Sequence, residues 1–136
     1  MMRALAIVLL CSALAGAATV MPSARFTSVD IVVDSDRPLA AWQVELVAKD
    51  GDARIVGVEG GEAPFDVPAH YDPAALAGGR IILAAFDLRG ALPGGRHRLA
   101  TVHLREDGPT HYTVRLAAAA DSAGDRVAAT VTTEPR

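Results

Sequence analysis

With 136 residues, 13 basic side chains against 16 acidic ones and a net charge of −3, the chain is sized for one domain. It lacks the positive field that binding to nucleic acid or anionic lipid would require. Its one cysteine, Cys11, excludes an intramolecular disulfide, so a packed hydrophobic core is left to stabilise it.

The first segment reads as a signal peptide spanning residues 1–18. Met1-Met2-Arg3 is a short basic start, Ala4 to Leu14 is almost wholly apolar, and Ala15-Gly16-Ala17-Ala18 supplies the small residues that precede cleavage. The apolar run is shorter than the roughly 20 residues that a membrane span needs, and no second such run follows. Leu10 stands before Cys11 where lipidation calls for a small residue, so Cys11 is read as part of the discarded peptide. Secretion, to a periplasm or beyond the cell, is the expected destination. Cleavage near Ala17 or Ala18 leaves about 118 residues, one ordinary domain, with 12 basic against 16 acidic side chains. Lys49 is the sole lysine and alanine is abundant, the composition of a GC-rich bacterial genome rather than a functional signature.

Beyond the leader, short strands alternate with turn chemistry. Thr27, Val29, Ile31 and Val33 alternate with Ser28, Asp30 and Val32, and Asp34-Ser35-Asp36 with Pro38 closes that strand. Leu39 to Leu46 follows, with Trp42, Val44 and Leu46 on one face and Ala41, Gln43 and Glu45 on the other. Lys49-Asp50-Gly51-Asp52 is a hairpin-type turn into a strand over Arg54 to Glu59, which Gly60-Gly61 stops. Pro64, Pro68 and Pro73 forbid a helix between Gly60 and Gly79 and predict a long structured loop, with a short strand at Phe65 to Val67. Ile81 to Phe86 is apolar on both faces, the pattern of a central strand. Leu99 to Leu104, Tyr112 to Leu116 and Arg126 to Thr132 complete the set, ahead of a polar tail at residues 133–136. Roughly eight short strands without a sustained helix predict an antiparallel β-sandwich over residues 26–132.

The order Pro38-Leu-Ala-Ala-Trp-Gln-Val-Glu-Leu46, Ile55-Val-Gly-Val-Glu-Gly-Gly61, Tyr71-Asp-Pro-Ala-Ala-Leu76, Gly79-Arg-Ile-Ile-Leu-Ala-Ala-Phe86, Leu99-Ala-Thr-Val-His-Leu104 and Ala120-Asp-Ser-Ala-Gly124 resembles a cohesin domain. The resemblance covers nearly the whole chain after the leader, from about Phe26 to Val131. It implies a nine-stranded jelly-roll β-sandwich, immunoglobulin-like in general architecture and shared with carbohydrate-binding modules, with no enzymatic activity. It also implies a protein partner, a calcium-loaded dockerin module, docked on a flat sheet face. Carried over residue by residue, the binding positions are Ala41, Gln43 and Glu45. Cohesins of cellulose-degrading complexes usually present Asn and Asp at the first two of these places; this chain carries Ala41 and Gln43.

The alternative is a secreted polysaccharide-binding module. Trp42 shares a face with Val44 and Leu46 and is read as core, which leaves Phe65 and Tyr71 in the long loop as the aromatic rings able to meet a sugar. A third reading is a structural module without a specific ligand. His70, His97, His103 and His111 show no metal-site spacing. His103 and His111 would share a basic patch if their strands formed one hairpin, and would lie in different sheets in a jelly roll. Asp34-Ser-Asp36 and Asp121-Ser-Ala-Gly-Asp125 are turns rather than calcium loops, so no cofactor or metal is expected. Glu59, Glu62 and Asp66 offer carboxylates without the cleft that a glycosidase needs. There is no Gly-x-Ser-x-Gly elbow, and Gly57, Gly60 and Gly61 precede no helix that could present a phosphate site.

Overall fold

The computed structural model describes Thr19 and residues 23–136; the expected signal peptide, its cleavage site and Cys11 lie outside the described residues. Those residues form seven strands: β1 (Arg25–Ser35), β2 (Ala41–Lys49), β3 (Ala53–Gly60), β4 (Arg80–Phe86), β5 (Gly95–Glu106), β6 (His111–Ala120) and β7 (Ala129–Pro135). They contain no α-helix, only one 3₁₀ turn at Pro73–Ala75, started by Asp72, whose carboxylate accepts from the Ala74 N–H at 2.9 Å. No helix among the described residues is long and apolar enough to cross a membrane.

The strands make two antiparallel sheets, one ordered β3-β5-β1-β7 and the other β4-β2-β6. Period-two alternation decides what each sheet buries. Val29, Ile31 and Val33 of β1, Ile55 of β3, and Val102 and Leu104 of β5 meet Trp42, Val44 and Leu46 of β2 and Ile81 and Leu83 of β4 in one hydrophobic core. Tyr112, Val114 and Leu116 of β6 pack against it. The domain is therefore all-β, with a single core to which both sheets contribute.

Several boundaries differ from the sequence reading. β2 begins at Ala41 rather than Leu39, because Leu39 turns aside to pair with Leu92 in an isolated bridge. Residues 117–120, four alanines, extend β6. β7 starts at Ala129, because Arg126 bridges to Ala120 across the Asp121–Asp125 turn, and it runs on to Pro135 through most of the expected polar tail. β5 and β6 fall in different sheets, so His103 and His111 form no common patch.

Two corrections matter for function. Phe65 is in a turn rather than a strand and is only 3% exposed, its ring meeting Trp42 edge-on at 5.9 Å. β4 is an edge strand whose second face is open to solvent rather than the doubly buried centre of a sheet. Apart from its ladder with β2, it gains the bridge between Ala84 and His70.

The loop after β3 is pinned rather than free. Glu62 accepts from the Arg98 N–H at 2.9 Å and pairs with His97 Nδ1 at 2.8 Å, and Gly61 N–H donates to the Phe65 carbonyl at 2.7 Å. These bonds, the backbone one first, hold the Glu62 carboxyl below its ordinary range. A Cβ on Gly61 would overlap the backbone of Arg98 and Leu99, so glycine is what lets the loop lie against β5 and deliver Phe65 to the core.

Candidate functional site

The outer face of the β4-β2-β6 sheet can be assembled row by row from its register. Phe86, Ala41 and Ala120 stand abreast at one end; Ala84, Gln43 and Ala118 follow; then Ile82, Glu45 and Arg115; then Arg80, Val47 and Thr113. The register slips once, between Gln43 and Val44, where β6 carries one extra alanine, Ala117. The positions carried over from the resemblance, Ala41, Gln43 and Glu45, do point away from the core. Each is partly exposed, while Trp42, Val44 and Leu46 between them are buried.

The two ends of the face differ in character. Small side chains floor a shallow depression of about 430 Å³ at the first end, bordered by Ala41, Gln43, Ala84, Ala118, Ala120 and Phe86. Phe86 is 65% exposed, with His70 stacked on it at a ring separation of 6.4 Å, and Ile82 is 37% exposed. Val67, also exposed, lies across a smaller hollow from Phe86. The turn that presents Phe86 is set by Asp87, which accepts from the backbone N–H groups of Arg89 at 2.7 Å and Gly90 at 3.2 Å. Those bonds, the Arg89 one first, keep its carboxyl below the usual range.

At the other end Glu45 sits between two guanidinium groups, one from each neighbouring strand. Arg80 Nε donates to one carboxylate oxygen at 2.5 Å, and Arg115 donates to the other through Nη2 at 2.8 Å and Nε at 3.1 Å. The Arg115 bonds first and the Arg80 bond second hold the Glu45 carboxyl below its ordinary value of 4.5. This end thus offers two cationic groups against one anionic group, on a chain whose overall balance is acidic.

A depressed carboxylate pKa adds stability that is complete above the unfolded value and is lost as pH falls through the folded one. Replacing Glu45 with Gln is therefore expected to lower the neutral plateau of a thermal-stability profile slightly, as for an exposed ion pair, and to flatten the acid limb below pH 4.5, so that the two profiles converge in acid. Melting curves of both proteins between neutral and strongly acidic pH would check this.

The remaining candidates separate. Phe65 is buried and Tyr71 packs partly against the core, so the two rings form no exposed aromatic platform for a sugar. Among the described residues, no group of three His, Cys, Asp or Glu is disposed to hold a metal ion. Glu59 and Glu62 turn to different histidines, His103 and His97. The sequence offers the Ile81 to Phe86 strand as an extension of this face but does not single out Phe86 and Ile82, because apolar residues on both faces read as a buried centre while the strand lies at a sheet edge.

No family model, no curated protein and no solved structure matches this chain. What fold and face define is an all-β domain whose outer β4-β2-β6 face is apolar at one end and carries the Arg80–Glu45–Arg115 cluster at the other.

Proposed function

We propose that this chain is a secreted, non-catalytic, cohesin-like module that docks a protein partner, a dockerin-bearing protein, through the outer face of β4-β2-β6. The observation that carries the reading is the exposed apolar surface around Phe86 and Ile82, floored by alanines and flanked by the Arg80–Glu45–Arg115 cluster. An exposed apolar patch bordered by charged groups suits a protein interface. Arg80 and Arg115 favour a partner that brings carboxylates to their end. Ala41 and Gln43 replace the polar pair usual in cohesins, so affinity here rests on packing around Phe86 rather than on hydrogen bonds at the centre.

The finer architecture belongs to the same proposal: a nine-stranded jelly-roll sandwich, in which the bridged segments at Leu39–Leu92 and His70–Ala84 supply extended pieces beyond the seven full strands. The cohesin resemblance across residues 26–131 supports it.

Purified protein lacking the leader would be titrated with dockerin modules from its own secretome and with a polysaccharide panel, with and without calcium. Saturable binding to a dockerin is expected. Phe86→Asp should weaken it by about 30-fold or more, the effect of losing an interface anchor worth about 2 kcal/mol. Because Phe86 is exposed, the melting temperature should stay unchanged. Affinity for glycans alone, or dockerin binding indifferent to Phe86→Asp, would overturn the reading.

A further inference from the structure

The outer face of the other sheet carries a side-chain row that the docking proposal does not use. Three strands contribute one residue each: Ser28 from β1, His103 from β5 and Glu59 from β3. Ser28 Oγ lies 3.0 Å from His103 Nδ1, and His103 Nε2 lies 3.1 Å from Glu59 Oε1. The other oxygen of Glu59 faces Arg136 Nη1 at 3.7 Å, and the Arg136 N–H donates to the Ser28 carbonyl at 3.0 Å.

For a neutral His103 beside an ionised Glu59, the chemistry of the partners sets the proton positions. An ionised carboxylate only accepts, so Glu59 requires the hydrogen of a neutral His103 on Nε2. Nδ1 is then a lone pair, and the Ser28 hydroxyl must be the donor to it. A hydroxyl aimed at an imidazole lone pair, with the ring oriented by a carboxylate, is the arrangement that activates serine as a nucleophile.

There is also room for an electrophile. Phe26, which is 76% exposed, and the exposed Val56 border a depression of about 440 Å³ together with Ser28, Gly57 and His103. Gly57 stands opposite His103 in the register, and nothing lies within 4 Å of where its Cβ would be, so the space beside the ring stays open.

We propose that Ser28 is an activated nucleophile and a covalent modification site that takes small apolar acyl groups from activated esters. Ser28 Oγ bonds to the ester carbonyl carbon while its proton passes to His103 Nδ1. The carbon–oxygen bond to the leaving group then breaks, and His103 returns the proton to the departing oxygen. Glu59 holds the ring and balances the imidazolium charge in between, and Phe26 and Val56 receive the acyl chain.

The test is to incubate the folded protein with p-nitrophenyl acetate and map acetylation by peptide mass spectrometry, with Ser122 in its exposed turn as the internal reference. Ser28 should label faster than Ser122. His103→Ala should slow labelling of Ser28 about a hundredfold and Glu59→Gln about tenfold, the range of general-base assistance and of its support, with Ser122 unaffected. Both variants alter exposed or half-exposed side chains, and circular dichroism would show that they remain folded. Labelling of Ser28 no faster than Ser122, or a Ser28 rate unchanged in folded His103→Ala, would overturn the proposal.

Discussion

Trp42→Ala is expected to destabilise the domain by about 3–5 kcal/mol, the cost of emptying the site of a large aromatic in a well-packed core. Trp42 is buried at the start of β2, within the core that both sheets share, and supports Phe65 through the edge-on ring contact. Its removal would leave a void and also free the loop that Phe65 anchors. Trp42→Phe should cost much less. Nε1 of Trp42 has no hydrogen-bond partner among the described residues, so the exchange keeps most of the aromatic volume and loses no polar contact. Urea unfolding followed by far-ultraviolet circular dichroism would measure both, since each variant deletes the chain's single tryptophan and with it the fluorescence signal. Equal losses for the two variants would contradict this account.

Glu106→Ala is expected to cost about 2–3 kcal/mol through the loss of charged hydrogen bonds at a buried site. Glu106 ends β5 on its inward-facing side and is only 2% exposed. One carboxylate oxygen accepts from Arg25 at 2.6 Å, and the other accepts from the Tyr112 hydroxyl at 2.5 Å. Arg25 is largely exposed and would regain water, which keeps the loss below that of a fully buried ion pair. Tyr112 belongs to the opposite sheet, so this carboxylate ties the sheets together where the chain crosses between them. Burial first, and Glu106 second, raise the Tyr112 phenol above its ordinary value of 10.0. A raised folded pKa means that this stability is fully present below the unfolded value and is lost as pH rises beyond it. Wild-type protein should therefore weaken above pH 10, and Tyr112→Phe should remove that component of the alkaline slope.

Local alternation made β1, β2, β5 and β6 legible, because each carries several apolar residues at period two. The outward set Ala41, Gln43 and Glu45 followed from the same rule. Position within a sheet was not legible: Ile81 to Phe86 has the same pattern whether its second face is covered by protein or awaits a partner. Phe65 escaped for a related reason, since its surroundings of proline and glycine describe a loop while its burial depends on Trp42, distant in sequence. Glu106 reads locally as turn chemistry, and only the crossing to β6 brings Tyr112 to it. The Ser28, His103 and Glu59 row depends on register across three strands, and β3 slips between Ile55 and Gly57 in a way that no local pattern announces.

The alanine floor beside Phe86 also bears on how this surface changes over generations. Ala41, Ala84, Ala118 and Ala120 contribute little to the core, yet each contours the depression. Besides proline and glycine, which would disturb the strands, a single-base change in an alanine codon yields valine, threonine, serine, aspartate or glutamate, and these would reshape or recharge the surface with little demand on the core. Copies of such a gene could diverge in partner choice by single steps, without first acquiring stabilising changes elsewhere.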